Sequence, residues 1–185
     1  MKKNLKYAFI LLAICGVCAF ALGFTNSITK PVIEKQEQEN RMKALEEVSN
    51  GWAVGSEEVV SDNSIVSYYL GLSDNGETKG YIVGLKGSGY GGQLTMVASY
   101  SINGEMLSAK MLTNSETPGL GKKSENPGYM DKFKGTGGKK AVPTNKSMLS
   151  TEDASAVSGA SVTFAALGKA IAGGSEFVKS LGGTK

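Results

Sequence analysis

Residues 93–112, QLTMVASYSINGEMLSAKML, decide the fold. Two runs, 93–101 and 105–112, carry aromatic, β-branched and long apolar side chains on either side of Asn103-Gly104. Asn-Gly between two such runs predicts a β-hairpin with a type I′ turn, because both central residues of that turn need positive φ. Working outward, residues 64–72 (SIVSYYLGL) and 80–86 (GYIVGLK) are of the same kind, and each is bounded by Gly, Asn or Asp. A more irregular stretch follows from 113 to 146. Beyond it an apolar pattern of helical period covers 161–172, with a further short helix expected over 175–181. Consecutive hairpin strands followed by helices predict an α+β domain on an antiparallel sheet with flanking helices, occupying residues 51–185. Glycine is frequent, 25 of 185 residues, and clusters without a repeating period, as tight turns and close backbone approaches require.

The N-terminal part is of another kind. Residues 7–24, YAFILLAICGVCAFALGF, hold no charge. Eighteen helical residues extend about 27 Å, enough to cross a bilayer core. Lys2, Lys3 and Lys6 precede this run and no acidic residue occurs before Glu34, so residues 1–6 are expected in the cytoplasm and all that follows the span outside it. A cleaved leader with Ala19-Phe20-Ala21 as its site is the competing reading. The run is longer than a usual leader core, which favours a retained anchor in the cell membrane. Residues 25–50 are polar and helix-favouring, with a partial apolar stripe of Ile33, Met42, Leu45 and Val48. They predict a helical stalk, with Pro31 marking a kink or start.

Composition excludes several classes of chemistry. With the three leading lysines set aside, the 20 basic residues become 17, equal to the 17 acidic ones. The basic excess is therefore a signal of membrane topology, and no basic patch interleaved with aromatics points to nucleic acid. The chain has no histidine, and its two cysteines, Cys15 and Cys18, both fall within the apolar run. There they read as small apolar residues of a membrane helix, with no further ligand near to complete a metal site. Structural zinc, haem held by histidine and Ser-His-Asp or Cys-His catalysis are thus excluded. No catalytic residue and no metal ligand is assigned. Redox chemistry here needs a bound organic cofactor.

Two stretches remain. In Val157-Ser158-Gly159-Ala160-Ser161-Val162-Thr163, three hydroxyls and a glycine stand where a helix begins. Such a start offers unpaired N–H groups and a positive dipole end to a phosphate, although an ordinary N-cap has the same appearance. In Asn114-Ser115-Glu116-Thr117-Pro118-Gly119-Leu120-Gly121, Pro-Gly forces a turn, which by itself is a common surface feature.

The order of these pieces resembles a known family. Gly87-Ser88-Gly89-Tyr90-Gly91-Gly92, the hairpin at Asn103-Gly104, Glu116-Thr117-Pro118-Gly119-Leu120-Gly121, and Ser158-Gly159-Ala160-Ser161 with Thr163 follow one another as in RnfG, the FMN-binding protein of the Rnf ferredoxin:NAD+ oxidoreductase. The equivalent component of the sodium-pumping NADH:quinone oxidoreductase, NqrC, shares that domain. The likeness extends to the single anchor and so covers essentially the whole chain. It implies an electron-carrying component of a membrane-bound, ion-translocating complex, with other membrane subunits and a flavin-attaching transferase as partners and no independent catalysis. It also implies FMN joined through its phosphate to the hydroxyl closing the S/T-G-A-T motif, which here is Ser161. Ser158, Gly159, Ala160, Val162 and Thr163 would surround the phosphate, and Glu116, Thr117, Leu120 and Gly121 would line the flavin. Two positions depart from the family pattern: Ser161 replaces its threonine, and Ser155 stands where the family has an aspartate. Two other classes are a flavin-binding sensory or accessory domain and a cofactor-free structural protein. Co-purifying membrane subunits would argue against the first, and a colourless protein would favour the second.

Overall fold

The computed structural model describes the backbone of residues 2–182 and the side chains of 6–182; the side chains of Lys2 and Lys3, on which the expected topology leans, lie outside that range. It divides into two compact units, Met1–Asn40 and Arg41–Lys185.

Helix α1, Lys2–Val48, carries both the apolar run and the polar segment after it. Its Tyr7, Phe9, Leu11, Leu12, Phe20 and Leu22 side chains are exposed. A helical run that is apolar on all sides needs cover from lipid or from other chains. Among the described residues it is the one helix long and apolar enough to cross a membrane. Pro31 lies inside it, not at a start, and withdraws one N–H from the ladder. Nearby, the hydroxyls of Thr25, Ser27 and Thr29 donate to the carbonyls of Ala21, Gly23 and Thr25, so these polar groups are satisfied within the helix itself.

The second unit is built on five antiparallel strands in sequential order: β1 Ala53–Val59, β2 Val66–Asp74, β3 Glu77–Ser88, β4 Gln93–Ser101 and β5 Met106–Thr113. The predicted antiparallel α+β class holds. β1 was not predicted, since AVGSEEV is exposed throughout and shows no alternation; its pairing with β2 makes it a strand. The type I′ turn falls at a different hairpin from the predicted one. Asn75 (φ 52) and Gly76 (φ 82) both have positive φ and join β2 to β3. At the β4–β5 connection only Gly104 (φ 77) does, and Ser101 N–H bonds to Glu105 C=O. That is the three-residue hairpin with a final left-handed glycine, the other common solution for a short loop.

Alternation along the strands gives the sheet two buried faces. One presents Val83, Leu85, Met96, Ala98 and Tyr100 to helix α3, Ser161–Gly182, whose Phe164, Leu167, Ile171 and Val178 complete this core. The other presents Leu70, Leu72, Ile82 and Val97 to Ala44 and Val48 at the end of α1. Of the predicted stalk stripe, Val48 is therefore buried, while Ile33 and Met42 are exposed. The two helices expected over 161–172 and 175–181 are one. The helix runs through Gly173 and Gly174 because a Cβ at Gly174 would lie 2.5 Å from the Tyr100 hydroxyl, so glycine here serves close packing and not a break. That hydroxyl is fully buried and donates to the Ile171 carbonyl at 2.9 Å. The irregular stretch before α3 contains short 3-10 turns at Gly121–Glu125, Tyr129–Phe133 and Lys146–Met148, then helix α2, Thr151–Ala156, capped by the Ser150 hydroxyl.

Candidate functional site

The chain leaves β5 at Thr113 and turns at Thr117-Pro118-Gly119-Leu120. Leu120 N–H bonds back to Thr117 C=O at 3.1 Å, and Gly119 has φ 77. Proline second and a left-handed glycine third are the requirements of a type II turn. Asn114 holds its base: its carbonyl oxygen accepts from Glu116 N–H, and its amide donates to Ser124, whose hydroxyl donates to Gly121 C=O.

This turn delivers Glu116 to the interior, where it is 4% exposed. Its Oε1 accepts from the backbone N–H of Gly91 at 2.9 Å, and its Oε2 accepts from the Thr163 hydroxyl at 2.6 Å. The carboxylate thus joins the β3–β4 loop, its own turn and the first turn of α3. Glycine is needed around it for space. A Cβ at Gly121 would stand 2.5 Å from Glu116 Oε2 and 2.7 Å from Thr163 Oγ1, and one at Gly89 would stand 2.1 Å from Glu116 Oε1.

The start of α3 is set by α2. After α2 ends, Gly159 takes φ 82 and reverses the chain, and Ala160 C=O receives the first helical bond, from Phe164 N–H at 2.9 Å. The N–H groups of Ser161, Val162 and Thr163 then have no acceptor within the helix, so this end carries partial positive charge. Ser161 and Val162 are exposed, whereas Thr163 is buried. The two hydroxyls of this turn therefore differ. Thr163 spends its hydrogen on Glu116, while Ser161 makes no side-chain hydrogen bond among the described residues.

These segments enclose a cleft of about 420 Å³ lined by Tyr90, Glu116, Thr117, Leu120, Gly121 and the run 159–163. Its size is that of a small-molecule site, about 300–1,000 Å³. All the site residues expected from the sequence lie on this wall except Ser158, which stays outside. Tyr90 is a member of the wall to which the sequence motifs assign no role; its signal is an aromatic inside a glycine-rich loop. Tyr90, Leu120 and Val162 are exposed and give the mouth an apolar rim. A second groove of about 610 Å³ lies beside Ser161 and Val162 and is also lined by Lys86, Lys169 and Ala165. An apolar mouth for an aromatic ring and a helix N-terminus with a free hydroxyl for a phosphate fit a flavin mononucleotide.

A membrane-length helix joined to an α+β domain with this cleft defines the class, a membrane-anchored protein with an FMN-binding domain; residues 89–174 match the family of that description. Residues 1–48 match the RnfG N-terminal region, so the two matched regions together are those of the RnfG proteins of Rnf-type complexes. It is 29% identical over 178 residues to the RnfG-type protein of the Na(+)-translocating ferredoxin:NAD(+) oxidoreductase complex of Acetobacterium woodii, covering 88% of this chain and 85% of that one. It is 27% identical over 138 residues to the corresponding protein of the ion-translocating oxidoreductase complex of Methanosarcina acetivorans, covering 71% and 73%. To its counterpart in the proton-translocating ferredoxin:NAD(+) oxidoreductase complex of Clostridium ljungdahlii it is 23% identical over 173 residues, covering 92% and 89%.

Proposed function

We propose that this chain is the flavin-carrying component of an Rnf-type, ion-translocating ferredoxin:NAD+ oxidoreductase. Its FMN is attached by a phosphoester to Ser161 and relays electrons between neighbouring redox centres of the complex. The observation that carries the attachment reading is the contrast within one helical turn: Ser161 is exposed with an uncommitted hydroxyl at a helix N-terminus, while Thr163 is buried and bonded to Glu116.

The FMN supplies the electron-accepting and electron-donating chemistry. The protein's residues bind, orient and insulate it. Backbone N–H groups of 161–163 would hold the phosphate, and the left-handed glycine at 159 would allow it close approach. Tyr90, Leu120 and Val162 offer apolar contact to the ring, and Thr117 and Gly121 share the cleft wall with them. Attachment joins the Ser161 oxygen to the flavin phosphorus. The bond from phosphorus to the leaving group of a flavin phosphoanhydride donor breaks, and the serine proton passes to a base on the attaching transferase. Serine offers the same hydroxyl chemistry as threonine, so the departure at 161 preserves the reaction.

Residues 1–6 lie in the cytoplasm, residues 7–24 span the cell membrane, 25–50 form the stalk, and 51–185 hold the flavin outside. Other membrane subunits of the complex are the partners in electron transfer. The relatives include components of both sodium- and proton-translocating complexes. The test is peptide mapping by mass spectrometry after production with the flavin-attaching enzyme. The flavin phosphate is expected on the peptide that contains Ser161; its presence on another residue would remove this assignment.

A further inference from the structure

The family resemblance places Glu116 on the flavin; its geometry gives it another task. We infer that Glu116 is a positioning residue, an internal tie that locks the first turn of α3 and the glycine loop between β3 and β4 into the flavin-binding arrangement. This rests on the flavin reading of the cleft.

Both carboxylate oxygens are committed to protein donors, Gly91 N–H and the Thr163 hydroxyl, which lie 25 and 47 residues away in the chain. Glu116 forms no ion pair among the described residues, so its attachments are these two hydrogen bonds. The walls around it leave no room for another side chain, since a Cβ at Gly89 or Gly121 would collide with its oxygens. Removing the carboxylate leaves the buried Thr163 hydroxyl without its acceptor, which costs more than losing an exposed bond, and releases the exposed loop residue Gly91 from its anchor. The consequence is local. Thr163 lies two residues from Ser161, and Gly91 adjoins Tyr90, so loss of the tie frees both sides of the cleft mouth.

Glutamine separates a tie from other roles. Its carbonyl oxygen can still accept from Gly91, and its amide can donate to the Thr163 oxygen, so both links survive without the carboxylate. Alanine abolishes both. Thr163→Val keeps the shape and removes one donor.

The full-length chain and its Glu116→Gln, Glu116→Ala and Thr163→Val variants are produced with the attaching transferase. Flavin content, the visible circular dichroism of the flavin and thermal melting are measured for each. The tie predicts that the glutamine variant keeps the wild-type dichroism and flavin content within about twofold. The alanine and valine variants are expected to lose flavin content about tenfold, and the Glu116→Ala/Thr163→Val double variant to be little worse than either. Wild-type dichroism and flavin content in folded Glu116→Ala and Thr163→Val would overturn the inference. So would a glutamine variant that melts like the wild type yet loses flavin as alanine does. A wild-type chain without any flavin would bring down the flavin reading itself, and this inference with it.

Discussion

At the residue scale the site depends on which groups are free. Ser161 and Thr163 are both hydroxyl residues at one helix start, and only the exposed one is uncommitted. Ser161→Thr is therefore expected to keep flavin attachment, as judged by flavin absorbance of the denatured protein. Gly121→Ala introduces a carbon 2.5 Å from Glu116 Oε2 and is expected to cost about 1–3 kcal/mol in a denaturant melt, with loss of flavin. The motifs around Thr117-Pro118-Gly119 and Ser158-Gly159-Ala160-Ser161 were legible because each is contiguous. The role of Glu116 was not, because its partners are 25 and 47 residues distant and no local pattern records them. Ser158 belongs to the same short motif as Ser161 yet stands outside the cleft, since the reversal at Gly159 separates them.

At the scale of elements, the strands were legible where apolar alternation marked them and β1 was not, since its residues are polar or exposed and its pairing with β2 alone defines it. The hairpins show how one dipeptide serves two geometries. Asn75-Gly76 takes positive φ at both residues, whereas Asn103 does not. Gly76→Val is accordingly expected to lower stability by about 1–2 kcal/mol, while Asn103→Ala changes it by about 0.5 kcal/mol or less. Equal effects at the two turns, measured by denaturant unfolding, would contradict this difference. Helix α3 is continuous where Gly173-Gly174 suggested a break, because small residues there admit Ile65 and Tyr100 against the helix. That demand comes from tertiary packing and has no local signature.

At the scale of the whole molecule, the chain combines a membrane-length helix with a two-faced FMN-binding domain. On the proposed orientation, with the amino end inside, protease added to intact cells stripped of any outer barrier is expected to degrade the domain, while a tag placed before Lys2 stays protected; the reverse pattern would contradict that orientation. The domain's stability is expected to fall in alkali. Burial pushes the Tyr100 phenol above its usual range and raises Tyr129 to about 12. The folded chain thus keeps these protons where the unfolded chain, titrating near about 10, releases them. Their contribution is complete below about pH 10 and is lost as pH rises toward about 12 and beyond. Melting temperatures taken from pH 8 to 11 should stay level on this account until about pH 10 and then decline, less steeply in Tyr100→Phe. The most direct test of the central claim is in-gel flavin fluorescence after denaturing electrophoresis, with wild type and Ser161→Ala both made alongside the flavin-attaching enzyme. A fluorescent wild-type band that disappears in Ser161→Ala is the expected result; a band of equal strength in the variant would contradict attachment at Ser161.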